Sequence, residues 1–154
     1  MIPDIVDLNA PVIPGESIGG FLLGEHIQTY KGIIRKFGII SSEITNQSFT
    51  KYWELFVPFQ VEYEIQNTLK LIFDISDGSL CKVFALPNYK GTLLGGIHLG
   101  MKISEAMQFD PRIKFDDDEE LYYIPELKGL SIDTTLDKDK NEIIDCIAVY
   151  TEES

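Results

Sequence analysis

The residues with most chemistry to offer are Asp116-Asp117-Asp118-Glu119-Glu120, five carboxylates in succession. Like charges held together repel, so such a run is either a solvated loop or a surface whose repulsion a cationic partner relieves on binding. Phe115 precedes it and Tyr122-Tyr123 follow. Aromatic side chains beside a charged rim are the usual desolvated anchors of an interface, although alternate members of a strand equally enter a core. The candidate binding residues are therefore Asp116, Asp117, Asp118, Glu119, Glu120, Tyr122 and Tyr123.

Other constellations are weaker. Asp137-Lys138-Asp139-Lys140-Asn141 has the first three ligand positions of a calcium loop, but position 6 is Glu142 instead of Gly and position 12 is Ala148 instead of a bidentate Glu. Between two apolar strands it reads as a polar hairpin tip. Gly19-Gly20 and Gly95-Gly96 lack the spacing of a dinucleotide loop, and no Lys-Ser/Thr follows to make a phosphate loop. His26 and His98 read as surface or boundary residues. Cys81 and Cys146 lie in separate apolar runs with no His nearby and read as buried thiols. No catalytic residue, metal-ligand set or cofactor site emerges, so the chain is not expected to be an enzyme.

Positioning those carboxylates requires a folded scaffold, and composition supplies one. The chain has 154 residues, 44% of them apolar and 11% aromatic, enough for a core in a single domain spanning 1–154. With 13 basic against 25 acidic side chains the net charge is −12. Nucleic acid and anionic membranes are poor partners for such a surface; a basic protein is a good one. The first ten residues carry Asp4 and Asp7 and no export signal, which points to the cytoplasm.

Shifting the chain by 76 places sets Ile18-Gly19-Gly20-Phe21-Leu22-Leu23-Gly24-Glu25-His26-Ile27 beside Leu94-Gly95-Gly96-Ile97-His98-Leu99-Gly100-Met101-Lys102-Ile103, with five identities in ten. Leu80-x-x-Val83-x-Ala85 is matched by Ile144-x-x-Ile147-x-Val149 at a shift of 64, so the first copy carries extra residues, assigned to a Ser41 to Tyr52 loop. The expected units run from about 16 to 88 and from about 92 to 151. Leu23 and Leu99 should take equivalent buried places.

Each copy reads as a helix followed by three antiparallel strands. Ile27, Tyr30, Ile34 and Phe37 share a helical face, with Gly38 as terminator. Ser104 is the expected N-cap of a shorter second helix that Asp110-Pro111 stops. Phe59, Val61, Tyr63 and Ile65 alternate with polar residues. Leu69, Leu71, Phe73 and Ile75 share a face, and Asp77-Gly78 turns the chain into Leu80 to Leu86. Copy two repeats this over Leu121 to Ile124, Leu130 to Leu136 and Ile143 to Tyr150. The fold class is α+β, two tandem α-β-β-β units with helices packed on an antiparallel meander. Its core should include Ile27, Ile34, Phe37, Val61, Phe73, Val83, Ile103, Ile132 and Ile147.

The repeated G-x-x-L-G-x-x-I unit, at Gly20 to Ile27 and Gly96 to Ile103, followed by a helix and antiparallel strands, resembles the β-lactamase inhibitory protein and the related small lipoprotein of the outer-membrane barrel-assembly machinery. In size, negative charge, tyrosine-rich strands and lack of catalytic motifs the chain also resembles the immunity proteins of bacterial contact-dependent inhibition and other polymorphic toxin systems. Both resemblances imply a rigid sheet that offers side chains to one protein partner, here a cognate and basic toxin domain neutralised by an antitoxin. The competing readings are a small-molecule-binding or enzymatic α+β domain, which needs a pocket with convergent polar groups, and a structural subunit of a larger assembly, which needs an apolar exposed sheet face.

Overall fold

The computed structural model of the chain describes residues 5–46, 52–57 and 59–152. A small hairpin, β1 (Ser17–Ile18) and β2 (Phe21–Leu22), precedes two helices, α1 (Ile27–Ile34) and α2 (Phe37–Thr45). Four strands follow: β3 (Tyr52–Val57), β4 (Gln60–Ile65), β5 (Leu69–Asp74) and β6 (Leu80–Ala85). A third helix, α3 (Ile103–Phe109), leads into β7 (Lys114–Asp116), β8 (Leu121–Tyr123), β9 (Leu130–Leu136) and β10 (Glu142–Tyr150). The eight longer-range strands form one antiparallel sheet in the order β3-β4-β5-β6-β10-β9-β8-β7. The fold class is therefore α+β, as its alternating patterns predict.

Several local expectations are corrected. The helical face of Ile27 to Phe37 belongs to two helices, because the chain leaves helical geometry at Lys36 (φ −102°, ψ 8°) and Phe37 opens α2. Gly38 is thus inside a helix and ends none. The polar stretch from Ser41 continues that helix to Thr45, since Ile40 is fully buried and Thr45 returns its hydroxyl to the Ser41 carbonyl. Asn46, in left-handed geometry (φ 55°), closes the helix as αL residues do. Residues 47–51 of the expected loop lie outside the described segments, and Tyr52 already belongs to β3. The N-cap of α3 is Lys102, which puts Ser104 in the first turn.

Each half of the sheet has four strands instead of three. The additional ones are the outer edges: β7 is too short to show a period, and Tyr52 to Val57 is an almost unbroken apolar run without alternation.

One face of the sheet carries the core. Tyr30, Ile34, Phe37, Ile40, Ile103 and Ala106 from the helices are buried in a single cluster with Val61, Leu71, Phe73, Val83, Ile132 and Ile147 from the strands. Eight of the nine expected core residues are buried; Ile27, the first residue of α1, is half-buried. Leu99 is buried and Leu23 half-buried against the same cluster. Phe59 departs from its predicted alternation: at φ 66° it sits in the turn before β4 and is 76% exposed. Ile75, past the end of β5, is exposed as well. Cys81 and Cys146 are half-buried instead of buried.

The spacing Leu80-x-x-Val83-x-Ala85 cannot keep all three residues on one face of a regular strand, whose side chains alternate with period 2. A β-bulge resolves the conflict. Ile72 pairs with Lys82 and Phe73 with Leu80, leaving Cys81 as the extra residue. In the other half Asp133 pairs with Cys146 and Thr134 with Ile144, leaving Asp145 extra. Leu80 and Ile144 thereby return to the core face, where both are buried.

The opposite face is lined by the alternate residues: Glu62 and Glu64, Lys70, Lys82 and Phe84, Ser131 and Asp133, and Tyr123. Ile72 and Ala148 are buried there and stand outside the main cluster. The buried apolar residues of all three helices belong to the core cluster.

Candidate functional site

The acidic run makes the hairpin that joins β7 to β8. Register pairs Lys114 with Tyr123, Phe115 with Tyr122 and Asp116 with Leu121. Asp116 organises the turn, its Oδ1 accepting the backbone N–H groups of Asp118 (2.9 Å) and Glu119 (3.2 Å), and Glu120 closes it in left-handed geometry (φ 56°). Asp117, Asp118, Glu119 and Glu120 are exposed at the tip. Among the described residues no Lys or Arg makes an ion pair with any of the five carboxylates; Arg112 is committed to Asp110 at 2.7 Å.

Strand alternation then sorts the aromatics. Phe115 and Tyr122 stack edge to face with centroids 4.9 Å apart on the core side. Tyr122 is only 9% exposed, and its hydroxyl donates to Oε2 of Glu142 at 2.8 Å, an oxygen that also accepts from Thr134 at 2.7 Å. Burial and that acidic partner push the Tyr122 hydroxyl up to about 12. Tyr122 therefore belongs to the core. Tyr123, Leu121 and Asp116 fall on the other side.

There they line a groove of about 580 Å³. Asp116, Glu119, Lys82, Lys128 and Glu152 line it, and Tyr123 and Tyr150 contribute aromatic surface. Of the seven candidates, the fold thus brings Asp116, Glu119 and Tyr123 together in the groove, leaves Asp117, Asp118 and Glu120 on the tip outside it, and buries Tyr122. Tyr150, Lys82 and Glu152 were not among the sequence candidates. The alternation of β10 around buried Val149 would have placed Tyr150 on the open face, but nothing local announces that β10 and β8 share one concavity.

Three carboxylates, those of Asp116, Glu119 and Glu152, and the two ammonium groups of Lys82 and Lys128 line the groove together. Burial raises the pKa of the Tyr150 hydroxyl first, and the carboxylates of Glu152 and Glu119 raise it further. The ammonium of Lys82 sits 5.4 Å from the centroid of the Tyr150 ring and 4.9 Å from that of Phe84, with Lys70 at 4.9 Å from Phe84 too. These are cation–π distances.

Elsewhere on the sheet, burial pushes the Cys146 thiol up to about 12, with Asp133 and Asp145 adding to the shift, so the thiol stays protonated at neutral pH and is a poor nucleophile. Asp133 is itself raised by burial and by Asp145, whose Oδ1 is buried without a hydrogen-bond partner among the described residues. The Asp137 loop folds on itself. Oδ1 of Asp137 accepts from the backbone of Asp139 and Asn141, both at 2.8 Å, and these bonds lower its pKa. Among the described residues no group of three or more His, Cys, Asp or Glu side chains is placed to hold a metal ion, and no helix is long and apolar enough to cross a membrane. His26 caps α1, its Nδ1 accepting from the Gln28 N–H at 3.1 Å, and His98 is exposed.

No family model, curated protein or solved structure matches this chain.

Proposed function

We propose that the chain is an immunity protein that binds a cognate, basic toxin domain and neutralises it by covering its active site. The observation that carries this reading is the β7–β8 hairpin, which holds five successive carboxylates at the sheet edge without an ion pair among the described residues. Concentrated and unneutralised charge raises the free energy of the isolated protein, and a cationic surface lowers it on binding. It also steers encounter at long range. A net charge of −12 disfavours self-association, which weighs against a homomeric structural role.

The scaffold reading that accompanies it is a tandem pair of units. Supporting it, the Gly24 N–H donates to the Leu80 carbonyl and Leu80 N–H to Glu25, both at 2.8 Å, while Gly100 N–H donates to Ile144 (2.7 Å) and Ile144 N–H to Met101 (2.8 Å). The offsets are 76 and 64, those of the sequence repeat. His26 bridges Ser79 and Lys102 bridges Ile143 at the same offsets. Where the halves meet, Val83 pairs with Val149 and Ala85 with Ile147 about the central pair Phe84 and Ala148, a pattern that a local two-fold axis reproduces.

The test is neutralisation. The toxin domain encoded by the adjacent reading frame should co-purify with this chain and lose its activity in stoichiometric mixture. Undiminished toxin activity at excess of this protein rejects the reading.

A further inference from the structure

We infer that the partner docks on the open face of the sheet and seats an arginine-bearing loop in the groove beneath the acidic hairpin, with the guanidinium between the Asp116, Glu119 and Glu152 carboxylates and the Tyr150 ring. The inference rests on the proposed function and specifies its contact surface. The core face is already covered by three helices, whereas the open face has none of their buried residues. The groove lining combines carboxylates with aromatic rings, which is the surface a planar, weakly hydrated cation prefers, since it stacks and donates bidentate hydrogen bonds together. Lys82 holds its ammonium over Tyr150 and Phe84, so the guanidinium takes the Tyr150 ring by displacing that ammonium. A second copy of this chain is disfavoured as occupant by charge, because each copy carries −12. On this account the hairpin tip steers the encounter and the groove holds the complex.

Two arms separate the failure of this inference from failure of the function. In the first, the full chain labelled with nitrogen-15 is titrated with a tri-arginine peptide and with its citrulline counterpart. Arginine should shift the amides of Tyr123, Gly129, Ser131, Tyr150 and Glu152, citrulline should not, and Glu119→Gln with Glu152→Gln should weaken binding about tenfold. Shifts confined to Asp117, Asp118 and Glu120, no binding, or equal binding of citrulline overturns the groove. In the second, Tyr150→Ala and the Glu119→Gln/Glu152→Gln pair are tested against the adjacent-frame toxin domain. The exposed glutamate pair guards against a folding defect in the tyrosine variant. Slower neutralisation and faster dissociation support the groove. If both folded variants neutralise like the parent, the groove is rejected while the immunity function stands; if the parent itself does not neutralise, the function falls and the peptide arm alone decides the groove.

Discussion

Cys81 and Asp145 occupy the same place in two different strands: each is the one surplus residue in an otherwise regular ladder, and each restores an apolar neighbour, Leu80 or Ile144, to the core face. Because side chains alternate, adding or removing one residue here lets a regular ladder form without the bulge. Inserting an alanine after Cys81 should set that alanine opposite Phe73 in the place of Leu80, two positions out of register, and cost about 2–5 kcal/mol, the range for replacing a buried leucine by alanine. Deleting Cys81 should cost less, since Lys82 and Leu80 then pair with Ile72 and Phe73 without a bulge. Urea unfolding of the two variants measures the difference, and an insertion that is the milder change contradicts the bulge assignment.

Gly24 and Gly100 stand at φ 88° and 85°, and a Cβ built on either meets nothing within 4 Å. Substitution by alanine therefore strains the backbone without a clash, at about 1–2 kcal/mol. The two costs should be equal within error, because both glycines make the same backbone pairing. At Gly91 a Cβ would lie 2.0 Å from the Ala10 carbonyl oxygen, so Gly91→Ala should lose more stability than either. Equal losses at all three positions by thermal or urea denaturation would contradict this.

Most of the scaffold can be read from residue order, and what cannot has physical causes. Alternation around Val61 and Leu71, the Asp77-Gly78 turn and the repeated glycines leave local signatures, and the elements form where those signatures point. The break between α1 and α2 does not, since the apolar phase runs through Phe37 whether the helix continues or restarts. Phe59 fits a strand by type, yet the turn that feeds β4 takes it into left-handed geometry. The acidic run was legible as charge, but the groove beside it was not. Part of its lining comes from β7 and β8 while Lys82 and Tyr150 arrive from β6 and β10, and only the assembled sheet makes them neighbours.

Tyr122 gives a pH prediction. Its hydroxyl and that of Tyr89 are both pushed up to about 12 in the fold, by burial first, whereas an unfolded tyrosine titrates near about 10. A raised folded pKa stabilises below the unfolded value and that stabilisation is lost as pH climbs through the folded one. The urea midpoint should hold up to about pH 10 and fall towards about pH 12. Tyr122→Phe should cost about 1.5 kcal/mol at neutral pH, by removing a hydrogen bond to the Glu142 carboxylate, and should flatten part of the alkaline decline. An unchanged alkaline profile in that variant removes Tyr122 as a contributor.

The acidic hairpin carries the prediction on which the functional proposal depends most. Asp116 must be spared in any charge-reversal variant, because its Oδ1 holds the turn through two backbone N–H groups and its loss would confound charge with structure. Asp117, Asp118, Glu119 and Glu120 are exposed and can be replaced by lysine together. If the hairpin steers a basic toxin domain, association should be fast at low salt and slow down as the Debye length contracts from about 10 Å at 0.1 M to about 3 Å at 1 M. Dissociation should change less, since it depends on contacts already formed. The fourfold lysine variant should keep the parent's melting temperature within a few degrees, associate at least about tenfold more slowly and lose most of its salt dependence. Stopped-flow association at several salt concentrations separates the outcomes. A folded variant with the parent's association rate and salt slope would leave Asp117, Asp118, Glu119 and Glu120 as a solvated turn, and the recognition of the partner would then have to reside on the open sheet face without them.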